Sequence, residues 1–151
     1  MGVKDDFTKE EWSTILFTPL WVFTLVSAID GETDDQETAA LSQILGNIYS
    51  FDTSFTRDVL AELNKALDSI SADYKADPRD ILVGLQEAAD LLDQKLPGKE
   101  ANDFKFDMIL IGLNIAESSG GFWSGKISRA QAFGIASVAV MLRWHPDLSE
   151  D

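Results

Sequence analysis

The sequence is organised around a nearly uninterrupted apolar run from Ile15 to Ile29, which is followed at once by an acidic turn. The run is 15 residues long and includes Pro19 and several hydroxyl side chains, so it falls short of a membrane span. Its apolar residues recur with a helical period and fill two faces: Trp12, Ile15, Leu16, Leu20, Phe23 and Val26 on one, and Phe17, Trp21 and Leu25 on the other. A helix that is apolar nearly all round belongs in the middle of a bundle. We therefore expect a buried central helix, bent at Pro19.

The remainder of the sequence predicts further helices separated by turns. Thr8 and Glu11 form a capping box that opens the first helix, and a second helix follows the acidic turn, over residues 34–49. A third helix starts after Thr53 or Ser54 and carries one apolar face through Ile70. The fourth is expected to begin at the Asp77-Pro78 pair and to point seven side chains inward: Ile81, Leu82, Leu85, Ala88, Ala89, Leu92 and Leu96.

Two more helices complete the prediction. The fifth helix runs through Phe104 to about Glu117. Its last part is apolar on every face, apart from Asn114, so this helix too should be central. The sixth opens at a second capping box, from Ser128 to Gln131, and reaches Trp144. No strand-like alternation remains, so the sequence predicts an all-α bundle of about six helices in a single domain, residues 1–151.

The charge balance restricts the classes of partner. The chain has 26 acidic and 12 basic residues, for a net charge of −14. Such a field repels nucleic acid and anionic lipid, and attracts cations and basic protein surfaces. The chain contains no cysteine and a single histidine, His145, so thiolate chemistry and histidine-rich metal sites are excluded. The acidic flank ahead of the apolar run is wrong for a secretory signal, which indicates a cytoplasmic protein without membrane insertion.

The acidic turn could bind a metal ion. Asp30, Glu32, Asp34 and Glu37 place four carboxylates within eight residues, and these are the hard oxygen ligands that Ca²⁺ and Mg²⁺ prefer. The spacing is not that of an EF-hand loop. Asp34 and Glu37 also have a structural reading, as the N-cap and the capping-box glutamate of the second helix. Asp30 and Glu32 are not explained by capping, and for them a metal site and a plain turn remain equal alternatives.

The pattern of this turn recurs near the other end of the chain. Residues 31–37 and 125–131 share a glycine, then a helix-capping residue, with Glu or Gln three positions later, and each follows an apolar helix. The first copy, from Ala28 to Glu37, resembles the Ala-x-Asp-Gly-x-Ile-x-x-x-Glu signature of TerB-like tellurite-resistance proteins. The second copy departs from that signature because it has Ser128 and Gln131 and lacks the carboxylates.

The resemblance implies a fold and a function class. It implies an all-helical domain of two pseudo-symmetric helix-turn-helix halves, no catalytic activity, a role in the stress response to tellurite, and divalent metal at the acidic turns. With the second turn depleted, any Ca²⁺ or Mg²⁺ would depend on the first turn, with Glu117 as a further ligand. The alternative is an acidic interaction adaptor that binds a basic protein without metal. An enzyme using Asp30 and Glu32 ranks last, because no nucleophile or base accompanies them.

Overall fold

The structure is a computed structural model that describes residues 3–28, 35–119 and 129–146. These ranges contain seven α-helices, two short 3-10 turns (Val3–Asp6 and Ile48–Ser50) and no strand. The helices are α1 (Lys9–Ala28), α2 (Asp35–Gly46), α3 (Ser54–Lys65), α4 (Leu67–Ala76), α5 (Ile81–Lys95), α6 (Gly98–Ser119) and α7 (Arg129–Leu142). The predicted all-α class is confirmed.

The first helix is central, as its apolar surface requires. α1 contacts α3, α4, α5, α6 and α7, and it continues through Pro19 without interruption. Its buried hydroxyl groups are satisfied inside the helix, because Thr18 donates to the Thr14 carbonyl and Ser27 to the Phe23 carbonyl. Most of the apolar surface of α1 is therefore buried, with Phe23 and Leu25 only partly so, and these polar groups are not left unpaired.

The fifth predicted helix, now α6, is the second central element. Trp12 near the start of α1 and Phe104 near the start of α6 both contact the ring of Phe55. Towards the other end of the pair, a Cβ placed on Gly112 would lie 3.4 Å from the Val26 side chain. α1 and α6 therefore run parallel, and both end at the same end of the bundle.

The predicted capping box at the start of α1 is confirmed. The Thr8 hydroxyl accepts from the Glu11 backbone N–H at 3.1 Å, and the Glu11 carboxylate accepts from the Thr8 N–H at 2.8 Å. These bonds lower the pKa of the Glu11 carboxyl, chiefly through the Thr8 backbone N–H, with Lys95 nearby adding to the effect. The entry of the central helix is thus fixed by local bonds.

The third predicted helix is two helices. The backbone leaves the helical region at Ala66, where φ is −127° and ψ is 36°, and α4 begins at the next residue. This break lets Tyr74 of α4 reach α1, where its hydroxyl lies 2.8 Å from the Thr24 hydroxyl. About six helices were predicted, and the described ranges contain seven. The additional helix arises because α4 contacts α1, although the apolar residues of α3 and α4 keep one helical period across the break.

The predicted start of the next helix was wrong by three residues. The N-cap of α5 is Asp80, whose carboxylate accepts from the Leu82 N–H, and not Asp77. The Asp77 carboxylate is occupied by Arg79, which donates to it through its backbone N–H, Nε and Nη2. Leu82 was also placed wrongly, since its side chain is exposed.

Arg79 then links α5 to the centre of the bundle. Its guanidinium lies 5.0 Å from the centre of the Trp21 ring and donates to the Thr14 hydroxyl and the Glu87 carboxylate. Gly84 faces the same indole from α5, and the contact is so close that a Cβ there would overlap the ring. The helix packs this tightly because residue 84 has no side chain.

The end of α7 is fastened to α5 and α6. Lys105, buried on α6, donates to the Asp93 carboxylate at 2.6 Å, and Arg143 donates to Asp90 and Asp93. The Asn102 side chain bonds to both the backbone N–H and the carbonyl of His145. None of the helices in the described ranges is long and apolar enough to cross a bilayer.

Candidate functional site

The predicted metal ligands lie largely outside the described part of the chain. Asp30, Glu32 and Asp34 fall in the undescribed segment 29–34, and Glu37 lies in the first turn of α2 with its side chain undescribed. The metal site therefore stays a prediction. Within residues 3–28, 35–119 and 129–146, no three acidic or histidine side chains converge closely enough to hold a metal ion.

Glu117, the further ligand expected from the sequence, lies at a cavity between α2 and α6. The Glu117 side chain is exposed and lines a cavity of about 510 Å³ together with polar groups of both helices. Besides Glu117, the polar lining residues are Gln43, Asn47, Ser50 and Asn114. The cavity is in the size range of ligand sites and carries a carboxylate at one end.

A second cavity adjoins the first and reaches deeper into the bundle. Its volume is about 320 Å³, and it shares Ser50 and Phe51 with its neighbour. Its floor is formed by Asp107, which is only 7% exposed, and its sides include Asp52 and Asp103. Three carboxylates thus surround a concave surface, and one of them is buried.

Both cavities follow one stripe of α6. The lining residues Asp103, Asp107, Leu110, Asn114 and Glu117 recur at intervals of four and three, which places them on one face of the helix. The segment from Gln43 to Thr53 forms the opposite wall. We call the surface formed by these two adjacent cavities the α6 groove.

Asp107 is unusual because it is a buried acid without a cationic partner among the described residues. The Thr56 hydroxyl donates to its Oδ2 at 2.6 Å. Burial raises the pKa of the Asp107 carboxyl; the hydroxyls of Thr56 and Thr53 oppose this, and the nearby Asp103 and Asp52 add to it. A buried carboxyl with a raised pKa at the floor of a cavity marks a candidate functional site.

This raised pKa predicts a pH dependence of stability. Folded Asp107 binds its proton more tightly than the unfolded chain does, so its contribution to stability falls as pH rises from the ordinary value of 3.8 through the raised one. Asp107→Asn removes this loss, and we expect the variant to gain stability over wild type as pH rises from 4 to 7. Urea unfolding of both proteins across that range measures the difference, and a constant difference would contradict the prediction.

A second acidic surface, between α1 and α5, differs because its charges are mostly paired. It is lined by Glu10, Glu11, Glu87 and Asp90 around a cavity of about 290 Å³. Lys95 pairs with Glu11, Arg79 with Glu87 and Arg143 with Asp90. Among the described residues, the only ion pair in the α6 groove joins Lys99 to Asp103. Arg57 also lies near the groove, where it donates to the backbone carbonyls of Phe51 and Asp52, but no described ion pair joins it to a groove carboxylate. Within the described part of the chain, the α6 groove therefore has the larger number of acidic side chains without an ion pair.

Glu117 was expected from the sequence only as a further metal ligand, which stays a prediction, and Asp52, Asp103 and Asp107 were not expected at all. A signal for Asp107 was present, because it is an acid beside the apolar run that starts at Met108 in a helix predicted to be central. Burying an acid that has no cationic partner is costly, which makes Asp107 a candidate for a functional residue. Asp52 could not be found in this way, since its place opposite α6 depends on the packing of α2 and α3.

One relative is similar over most of the chain. The uncharacterized protein ORF11' of Methanothermobacter thermautotrophicus is 32% identical over 126 residues, which are 80% of this chain and 82% of that protein. No family model matches the sequence. No solved structure gives a significant match.

Proposed function

The chain belongs to the same family as ORF11' of Methanothermobacter thermautotrophicus, and we propose that it is a non-catalytic helical module whose α6 groove binds a basic segment of a partner protein. One observation carries this proposal: Asp52, Asp107 and Glu117 line a concave surface and have no ion pair with the described residues. Concave surfaces lined by one sign of charge focus the electrostatic field and attract the opposite charge. The net charge of −14 strengthens that attraction over a longer range.

The non-catalytic reading is supported by the chemistry of the available groups. The chain has no cysteine, and its single histidine, His145, is held to Asn102 through its backbone. The hydroxyl nearest to Asp107 is that of Thr56, which donates to the carboxyl and is itself fully buried. A buried hydroxyl that is not accessible to a substrate is poorly placed to act as a nucleophile.

A divalent cation at the first acidic turn is the second candidate. Suitable oxygen ligands are supplied by four acidic residues: Asp30, Glu32, Asp34 and Glu37. This hypothesis agrees with the TerB-like resemblance, which also implies a role in the stress response. One structural feature favours it: α1 and α6 run parallel, so Ala28, where the turn begins, lies at the end of the bundle that carries Glu117. Ca²⁺ there would neutralise the turn and fix the start of α2 against α1.

The binding of a basic segment can be tested with a fluorescein-labelled Arg-Ser repeat peptide. We expect anisotropy to show binding at about 20 mM salt that is lost by about 500 mM, because exposed charges are screened over that range. A triple variant, Asp52→Asn, Asp107→Asn and Glu117→Gln, is expected to weaken binding by about 10-fold or more. EGTA is expected to have no effect on the wild-type affinity.

The matched control removes the same charge from elsewhere. Glu10→Gln, Asp58→Asn and Asp68→Asn alter three exposed acids outside the groove and are expected to change the affinity by less than about 3-fold. Equal weakening by the two triple variants would show that net charge alone attracts the peptide. That result, or the absence of binding at low salt, would contradict a role for the α6 groove.

The cation candidate has its own test. Titration with CaCl₂ and MgCl₂, followed by tryptophan fluorescence and Tm, is expected to stabilise the wild type by about 1–3 kcal/mol at millimolar Ca²⁺. The double variant Asp30→Asn and Glu32→Gln should lose this gain, whereas Asp58→Asn should keep it. No stabilisation at millimolar Ca²⁺ would end the metal hypothesis and leave the basic-segment proposal unaffected.

A further inference from the structure

The deeper cavity of the α6 groove is small and has a charged floor. Its volume of about 320 Å³ is at the lower limit for ligand sites, which suits a single side chain better than a whole peptide segment. Asp107 forms the floor, and the aromatic side chains of Phe51 and Phe106 also line the cavity. Asp52 and Asp103 lie nearer the opening, and Lys99 pairs with Asp103 there.

We propose that this cavity receives the guanidinium group of one arginine side chain of the partner, and that the Asp107 carboxylate binds it. This inference rests on the proposed function. Asp107 accepts a hydrogen bond from the Thr56 hydroxyl, but the described residues offer it no cation, and a buried carboxyl without a cation is costly to ionise. An incoming cation removes that cost. An anionic or purely apolar ligand would leave the carboxylate unpaired.

Arginine fits this cavity better than either lysine or a metal ion. The guanidinium is planar, carries five N–H donors and is weakly hydrated, so it can enter a cavity with aromatic walls and bind a carboxylate through two parallel hydrogen bonds. The lysine ammonium is strongly hydrated and loses more on entering. The carboxylates of the described residues do not converge closely enough for a metal ion.

Arginine binding also requires Asp107 to be ionised. Burial raises the pKa of Asp107, and the groups that face it are Thr56 of α3, Thr53 and Asp52 of the preceding segment, and Asp103 of α6. Lys99, the partner of Asp103, lines the same cavity. A guanidinium binds the charged carboxylate, so binding releases a proton whenever Asp107 starts out neutral. The affinity for arginine is therefore expected to rise with pH until Asp107 is fully ionised in the free protein.

The test uses N-acetyl-arginine methylamide as the probe and the full chain labelled with ¹⁵N. We expect saturable shifts of the Thr53 and Asp107 amide signals, with an affinity about 3-fold or more above that of the lysine analogue. The uncharged citrulline analogue should cause no saturable shift. Asp107→Asn is expected to weaken arginine binding at least 10-fold, and Asp68→Asn, an equal change of charge on an exposed residue, should leave it unchanged.

A variant at the opening of the cavity tests the proposal without changing a buried residue. Asp52→Asn alters an exposed residue at the opening and should weaken arginine binding by about 2–5-fold without disturbing the fold. If the Arg-Ser peptide binds but the arginine probe does not, or if Asp107→Asn leaves the probe affinity unchanged, the arginine cavity is overturned and the basic-segment proposal stands. If neither the peptide nor the probe binds, both are overturned.

Discussion

Replacing Phe104 by alanine is expected to lower the free energy of unfolding by about 3–5 kcal/mol, the range for removing a large aromatic residue from a core. Phe104 is fully buried on α6, and its ring meets that of Phe55 edge to face at 5.1 Å between centroids. Phe55 in turn contacts Trp12 and Phe7, so the cluster joins the starts of α1, α3 and α6. Urea unfolding followed by far-UV circular dichroism measures the loss.

A second aromatic residue provides the control for this measurement. Tyr49 is 86% exposed in the turn Ile48–Ser50, and Tyr49→Ala is expected to change the free energy of unfolding by less than about 0.5 kcal/mol. Replacing an aromatic residue by alanine should therefore lower the free energy of unfolding far more at position 104 than at position 49. A loss below about 1 kcal/mol for Phe104→Ala would show that α1, α3 and α6 do not share this aromatic cluster.

Gly84→Ala is expected to destabilise the protein by about 1–3 kcal/mol, although alanine is the better helix former. A Cβ at position 84 would lie 2.5 Å from Cε2 and 2.7 Å from Cη2 of the Trp21 indole. The indole cannot retreat easily, because Phe17, Tyr74 and the Arg79 guanidinium surround it. The variant must move α5 or Trp21, and a change in tryptophan fluorescence should accompany the lower Tm.

Gly46→Ala is the matched control for this steric argument. Gly46 ends α2 and is exposed, and a Cβ there would meet nothing within 4 Å. We expect no loss and a gain of up to about 1 kcal/mol from helix propensity. If Gly84→Ala also stabilised the protein, the close contact between α5 and Trp21 would be wrong.

Much of the fold could be predicted because local patterns express it directly. The apolar surfaces of α1 and α6 indicated that both are central, and the Thr8–Glu11 pair marked the start of α1 to the residue. The break at Ala66 could not be predicted, because Leu63, Leu67 and Ile70 keep a helical period across it. The start of α5 was misplaced since Asp77 and Asp80 are both good caps, and only the pairing of Asp77 with Arg79 decides between them.

The candidate site was less predictable because it combines distant segments. Glu117 was expected from the sequence as a further ligand of a metal at the acidic turn, and the polar residues that line its cavity are uncharged: Gln43, Asn47, Ser50 and Asn114. Asp107 and Asp52 are 55 positions apart and line one cavity only because α6 packs beside the segment that precedes α3. The pseudo-symmetric halves and the metal at Asp30, Glu32, Asp34 and Glu37 remain predictions.

The central position of α1 has a consequence for how the chain is made. α1 leaves the ribosome before the other described α-helices, yet two of its main packing partners, α5 and α6, begin only at Ile81 and Gly98. Until those residues emerge, a helix that is apolar on every side lacks most of its cover. The nascent chain should therefore depend on chaperones or slow collapse until most of it has been synthesised, and shortened chains that end before α6 should aggregate.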